Sequence, residues 1–125
     1  MITLQEVLRL HDLSISFFGG SHGIRDNNLL ESAIGRISQT FGGEELYPTN
    51  YHKAAALIES IVKNHPFVDG NKRTGFLAAQ IFLKKNKILL TASENEAYDF
   101  VIDIASSKID FDDIVVWLKN NTKQL

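Results

Sequence analysis

His65-Pro66-Phe67-Val68-Asp69-Gly70-Asn71-Lys72-Arg73-Thr74-Gly75 places an imidazole, a carboxylate, an amide and two cations between two apolar runs. Before it come Ala54, Leu57, Ile58, Ile61 and Val62; after it comes Phe76-Leu77-Ala78-Ala79-Gln80-Ile81-Phe82-Leu83. Apolar residues at intervals of three and four share one helix face, so both runs are read as helices of a bundle. Proline biases His65 away from helical geometry, and Asp69-Gly70 is turn chemistry. The segment is thus a short loop that ends one helix and starts the next. Unpaired backbone N–H groups at a helix start attract phosphate, which makes this loop a candidate phosphate or nucleotide site.

Working outward, Thr3 and Glu6 form a capping-box pattern, followed by Leu4, Val7, Leu8, Ile15 and Phe18 at helical spacing until Gly19-Gly20. A second helix is expected from Asp26 or Asn27, with Leu29, Leu30, Ala33, Ile34 and Ile37 on one face. Phe41 to Asn50 reads as an exposed connection, and Thr49 or Asn50 caps the third helix, which delivers His65. The fourth, from about Asn71 to Lys85, is apolar almost all round and is expected to be the buried central helix. Ser93 with Glu96 starts a fifth, with Ala97, Phe100, Val101, Ile104 and Ala105 inward. Asp110 caps a sixth, with Phe111, Ile114, Trp117 and Leu118 inward and a frayed tail after Asn120. Ile88 to Thr91 is the one strand candidate. The expected fold is all-α: a single compact bundle of about six short helices, one domain over residues 1–125.

Composition narrows the function. The chain has 125 residues, 44% of them hydrophobic, enough for a conventional core. It has no cysteine, which excludes disulfides, thiolate zinc sites and cysteine nucleophiles and agrees with a reducing compartment, the cytoplasm being the default. No stretch approaches the ~18 apolar residues of a membrane span. The net charge of −2 is unevenly placed: Lys63, Lys72, Arg73, Lys84, Lys85 and Lys87 face Asp69 alone between residues 63 and 87. Such an island suits a small polyanion better than a nucleic-acid track, which wants a broader positive face. Lys84, Lys85 and Lys87 also suit a helix C-terminus, so Lys72 and Arg73 are the cations that ask for a functional reason.

Each motif residue has a chemical and a plain reading. His65 is a candidate general base, since imidazole ordinarily titrates near neutral pH; alone it would be read as an exposed loop histidine. Asp69 is a candidate Mg2+ ligand, because that ion takes one or two carboxylates with nucleotide phosphates, yet Val68-Asp69-Gly70-Asn71 is also ordinary turn wording. Gly70, Asn71, Lys72 and Arg73 are the candidate phosphate cradle, although a Walker A order is absent. Cations at a helix start oppose its dipole, and a nearby anion would account for them. Phe67 is read as an anchor that packs the loop on the bundle. Arg25 and Asp26 brace the loop or a target, or form a plain cap, and Tyr47 belongs to a target-docking flap or to a plain turn.

The motif resembles that of the Fic/Doc superfamily, HxFx[D/E][A/G]N[G/K]R, with every fixed position met. Lys72, Arg73-Thr74, Gly23-Ile24-Arg25-Asp26 and Phe41-Gly42-Gly43-Glu44-Glu45-Leu46-Tyr47-Pro48 are similar to the death-on-curing (Doc) toxin branch. The resemblance runs from about Thr3 to about Leu118 and implies a compact helical bundle. It also implies that His65 deprotonates a target hydroxyl and Asp69 holds Mg2+, while Asn71, Lys72 and Arg73 fix the phosphates.

Fic enzymes commonly have glycine where Lys72 stands and a second arginine where Phe76 stands, and they usually transfer AMP. The Doc-like residues instead imply ATP as donor of a γ-phosphate to a Ser or Thr hydroxyl, with elongation factor Tu as Doc's protein target. AMP transfer and a catalytically silent binding module are the alternatives. A ribonuclease is disfavoured by the negative net charge and the lack of a second histidine or a carboxylate pair near His65. The inhibitory motif [S/T]xxxE[G/N] has no match: Thr40-Phe41-Gly42-Gly43-Glu44 is followed by Glu45. Restraint in trans by a Phd-like antitoxin is the implied partnership. The acidic stretch from Glu94 to Asp113 either favours a basic segment of such a partner or forms solvated helix faces.

Overall fold

The structure, a computed structural model, describes residues 1–125. Six helices carry the fold: α1 (Leu4–Phe18), α2 (Asn27–Arg36), α3 (Asn50–Asn64), α4 (Asn71–Lys85), α5 (Glu94–Ala105) and α6 (Phe111–Asn120). Five start where a side chain meets an unpaired N–H. Thr3, Ser93 and Asp110 form reciprocal capping boxes with Glu6, Glu96 and Asp113, while Asp26 and Thr49 accept from Leu29 and His52. Only α4 lacks such a cap: it begins after Gly70, whose backbone is left-handed.

The helix at the centre is α3 rather than α4. Ala54 through Ile58 and Ser60 through Val62 are all buried, and α3 packs against α2, α4, α5 and α6. Three consecutive alanines, Ala54 to Ala56, let neighbours close in around it. Helix α4 is buried on the side facing α3 but leaves Phe76, Leu77, Gln80 and Ile81 partly open, so its apolar run packs on one face only. The two helices meet closely at Gly75, where a β-carbon would lie 2.8 Å from Val62 Cγ2.

Other sequence expectations need correction. Phe18, at helical spacing with Leu4, Val7, Leu8 and Ile15, is 70% exposed, because α1 ends at the rim of the bundle; Ala105, expected inward, is exposed as well. The connection after α2 contains a small hairpin, β1 (Thr40–Phe41) with β2 (Glu44–Glu45), turning at Gly42-Gly43 with positive φ. The tail after Asn120 does not fray: β4 (Thr122–Gln124) pairs antiparallel with β3 (Ile88–Leu90). No helix is long and apolar enough to cross a membrane.

Candidate active site

His65 stands where α3 ends, with a left-handed backbone (φ 52°, ψ 59°) that turns the chain out of the helix. Its imidazole is exposed and makes no hydrogen bond within the protein. The backbone around it is held by Arg25, which donates from Nε to the His65 carbonyl at 2.6 Å and from Nη2 to that of Asn64 at 2.7 Å. The backbone N–H groups of Arg25 and Asp26 both donate to the Pro66 carbonyl, and Val68 N–H donates to Gly23. With the Ile24–Phe67 bridge, these bonds lace the segment 23–26 to the motif. Arg25 is therefore a brace of the loop.

Phe67 is 1% exposed, and its backbone is clasped by the Asn71 side chain. Its ring stacks on His11 of α1, centroids 3.8 Å apart and planes 6° from parallel. His11 Nε2 in turn donates to the Asp69 carbonyl at 2.8 Å. Anchoring by Phe67 thus comes with two partners, one local and one from another helix.

The Asp69 carboxylate is exposed and reaches the segment that follows α1. Its Oδ2 accepts from Ser21 N–H at 3.1 Å and its Oδ1 from Gly70 N–H at 2.8 Å. These bonds, Ser21 first and then Gly70, lower its pKa from the ordinary carboxylate value, with Arg73 and His11 adding smaller contributions. Gly20 makes room for it, since a β-carbon there would lie 2.7 Å from Oδ2.

Past Gly70, the N–H groups of Asn71, Lys72 and Arg73 open α4 with no protein acceptor. Lys72 is exposed, and neither Lys72 nor Arg73 forms an ion pair. Arg73 reaches across to Ser14 Oγ at 3.3 Å and lies over the Phe18 ring at 4.8 Å. The Asn71 amide is spent on Phe67, so its share in an anion cradle falls to its backbone N–H.

These groups form the mouth of a cavity of about 570 Å³ between α1, α4 and α5. Asp69 to Arg73 line the polar end, while Phe18, Phe76, Leu77, Tyr98, Val101 and Ile102 supply an apolar wall. The volume lies within the range of small-molecule sites.

Among the residues singled out in the sequence, His65, Phe67, Asp69, Gly70, Asn71, Lys72, Arg73 and Arg25 come together in one locus. Tyr47 does not join them: its hydroxyl accepts from Arg36 Nε at 2.8 Å and its ring packs on Phe111. Sequence reasoning missed His11, Ser14 and Phe18. A signal existed, since His11 and Ser14 interrupt with polar atoms the α1 face that carries Val7 and Ile15.

A Fic/DOC family model matches residues 1–83. The chain belongs to the Fic/DOC family. It is 41% identical over 103 residues to Toxin Doc of Mycolicibacterium smegmatis, covering 81% of this chain and 79% of that protein. It is 32% identical over 108 residues to Protein kinase doc of Escherichia phage P1, covering 86% and 84%. These relatives agree with the death-on-curing branch. The Fic/DOC match takes in α1, the brace, the motif loop and nearly all of α4. The α5 wall of the cavity lies beyond it.

Proposed function

We propose that this protein is a Doc-like toxin that transfers the γ-phosphate of ATP to a Ser or Thr hydroxyl of a protein. By family resemblance its target is the translation factor elongation factor Tu, met in the cytoplasm, and a Phd-like antitoxin restrains the toxin in trans. The reading is carried by one convergence: a single loop carries an unengaged imidazole and an ionised carboxylate and ends on a helix start whose N–H groups have no protein acceptor and whose two cations form no ion pair. The relation to Protein kinase doc of the phage supports phosphoryl transfer.

In this reading His65 accepts the proton of the attacking hydroxyl as its oxygen bonds to the γ-phosphorus. The bond from that phosphorus to the β–γ bridging oxygen breaks, and ADP leaves. Lys72, Arg73 and the N–H groups of α4 neutralise and orient phosphate oxygens, and such positioning and charge stabilisation account for most of the rate in phosphoryl transfer. The apolar wall receives the remainder of the nucleotide.

Asp69 fits a Mg2+ site: each of its oxygens accepts one N–H and keeps capacity for a cation. No cluster of three His, Asp or Glu side chains forms a protein-only cage. A single free carboxylate suits an ion that takes its other ligands from nucleotide phosphates and water. Mg2+, when bound, offsets phosphate charge.

The test is intact-mass analysis of elongation factor Tu after incubation with this protein, ATP and Mg2+, beside a His65→Ala control. A phosphate-sized gain confined to the unmutated protein is expected. An AMP-sized gain would replace this reading with AMP transfer, and no gain on this target would remove elongation factor Tu from it.

A further inference from the structure

We infer that His11 is a positioning residue that sets the Asp69 carboxylate through the backbone of the motif loop. The inference rests on the reading of Asp69 as the Mg2+ ligand.

His11 is 2% exposed and lies 58 residues from Asp69 in sequence, yet it contacts the motif loop at Phe67 and at Asp69. Its ring lies flat on Phe67. Its Nε2 is 2.8 Å from the Asp69 carbonyl, and a carbonyl only accepts, so Nε2 carries the proton. Its Nε2 and Cδ2 would lie 3.8 Å from a β-carbon at Gly70. A buried imidazole with a satisfied N–H is a rigid plate with one directional bond. Here that bond ends on the residue whose side chain faces solvent.

The consequence is geometric. Asp69 is exposed, and a surface carboxylate on a turn would ordinarily swing freely. Fixing its carbonyl from below fixes the peptide plane shared with Gly70, whose N–H holds Oδ1. Ser21 N–H holds the other oxygen. His11 thus supplies the anchor beneath, and the two N–H groups supply the aim above. A donor at this position does what the stack alone would not.

Three variants separate the bond from the ring. His11→Phe keeps a stacking ring without the donor, His11→Leu removes both, and His11→Gln keeps an N–H of comparable reach. Amide hydrogen exchange at Ser21 and Gly70 reports the carboxylate directly, with core amides of Leu57 and Ile58 as the internal standard. In His11→Phe both site amides are expected to exchange at least tenfold faster while the core amides are unchanged, and His11→Gln is expected to restore most of the protection. Under transfer conditions the same variant raises the half-saturating Mg2+ concentration threefold or more, and Gln reverses that rise. Wild-type protection of Ser21 and Gly70 in any folded donor-less variant overturns the inference; His11→Leu serves if His11→Phe does not fold. A protein that shows the exchange effect but retains full transfer as Asp69→Asn would instead overturn the Mg2+ reading.

Discussion

Asn71 grips Phe67 with both ends of its amide: Phe67 N–H donates to Asn71 Oδ1 at 2.9 Å, and Asn71 Nδ2 donates to the Phe67 carbonyl at 3.0 Å. All four atoms are in a buried setting, so truncation strands two backbone groups away from water. Each stranded group costs about 1–3 kcal/mol. Asn71→Ala is therefore expected to lose at least about 2 kcal/mol of stability in urea unfolding, although it lies in a motif that sequence alone reads as a ligand site. A loss below about 0.5 kcal/mol would show that the clasp is solvent-relaxed.

Gly75 is a packing glycine. Alanine is favoured over glycine inside a helix by about 1 kcal/mol. Against that, the added β-carbon meets Val62 Cγ2 at 2.8 Å and Ile61 at 3.4 Å, and overpacking costs about 1–3 kcal/mol. Gly75→Ala is expected to destabilise on balance, and Val62→Ala to relieve it. In a double-mutant cycle the pair should therefore be more stable than the sum of the single changes. Simple additivity would place the strain elsewhere.

Thr74 presents the opposite case. Its hydroxyl is buried and has no hydrogen-bond partner. Valine fills the same shape without burying a polar oxygen, so Thr74→Val is expected to raise stability by about 1 kcal/mol in the same unfolding assay. A destabilised variant would mean that the hydroxyl finds a partner in solution.

Much of this architecture is legible from local signals. The caps need only a side chain and an N–H three residues on, so the sequence alone locates Thr3, Ser93 and Asp110 and brings Asp26 and Thr49 to within one residue. The motif loop is legible because its turn and its chemistry occupy the same few residues. Contacts between distant segments are not. The polar strand Thr122–Gln124 has no apolar alternation to announce its pairing with Ile88–Leu90. Phe18 has core chemistry, but only the ending of α1 at the bundle's rim decides that it lines the cavity. Arg25 and Tyr47 look alike in sequence as polar groups near glycine-rich turns. One braces Asn64 and His65, whereas the other is tied to Arg36 and Phe111.

The Asp69 carboxyl gives a pH signature. Its pKa is lowered from 3.8 by the Ser21 and Gly70 N–H groups. A group with a folded value below its unfolded one contributes stability that is complete above the unfolded pKa and is lost as pH falls through the folded pKa. The acid limb below pH 3.8 should therefore flatten in Asp69→Asn, with no change in slope between pH 5 and 8, measured by urea unfolding across pH. An unchanged acid limb would mean the two bonds do not persist in solution.

His65 combines the proposed base with an unfavourable backbone. Its φ of 52° is left-handed, a conformation that costs an L-residue about 1–2 kcal/mol and that glycine adopts freely. Helix ends that need this geometry usually use glycine, so an imidazole here is retained against local stability. His65→Ala keeps the β-carbon and the strain, and His65→Gly removes both. The glycine variant is expected to be more stable than the alanine variant by about 1 kcal/mol in urea unfolding, with the unfolded chain's extra freedom offsetting part of the relief. Both are expected to lose phosphoryl transfer. Equal stability of the two would show that the turn is relaxed, and transfer surviving in either would remove His65 as the base.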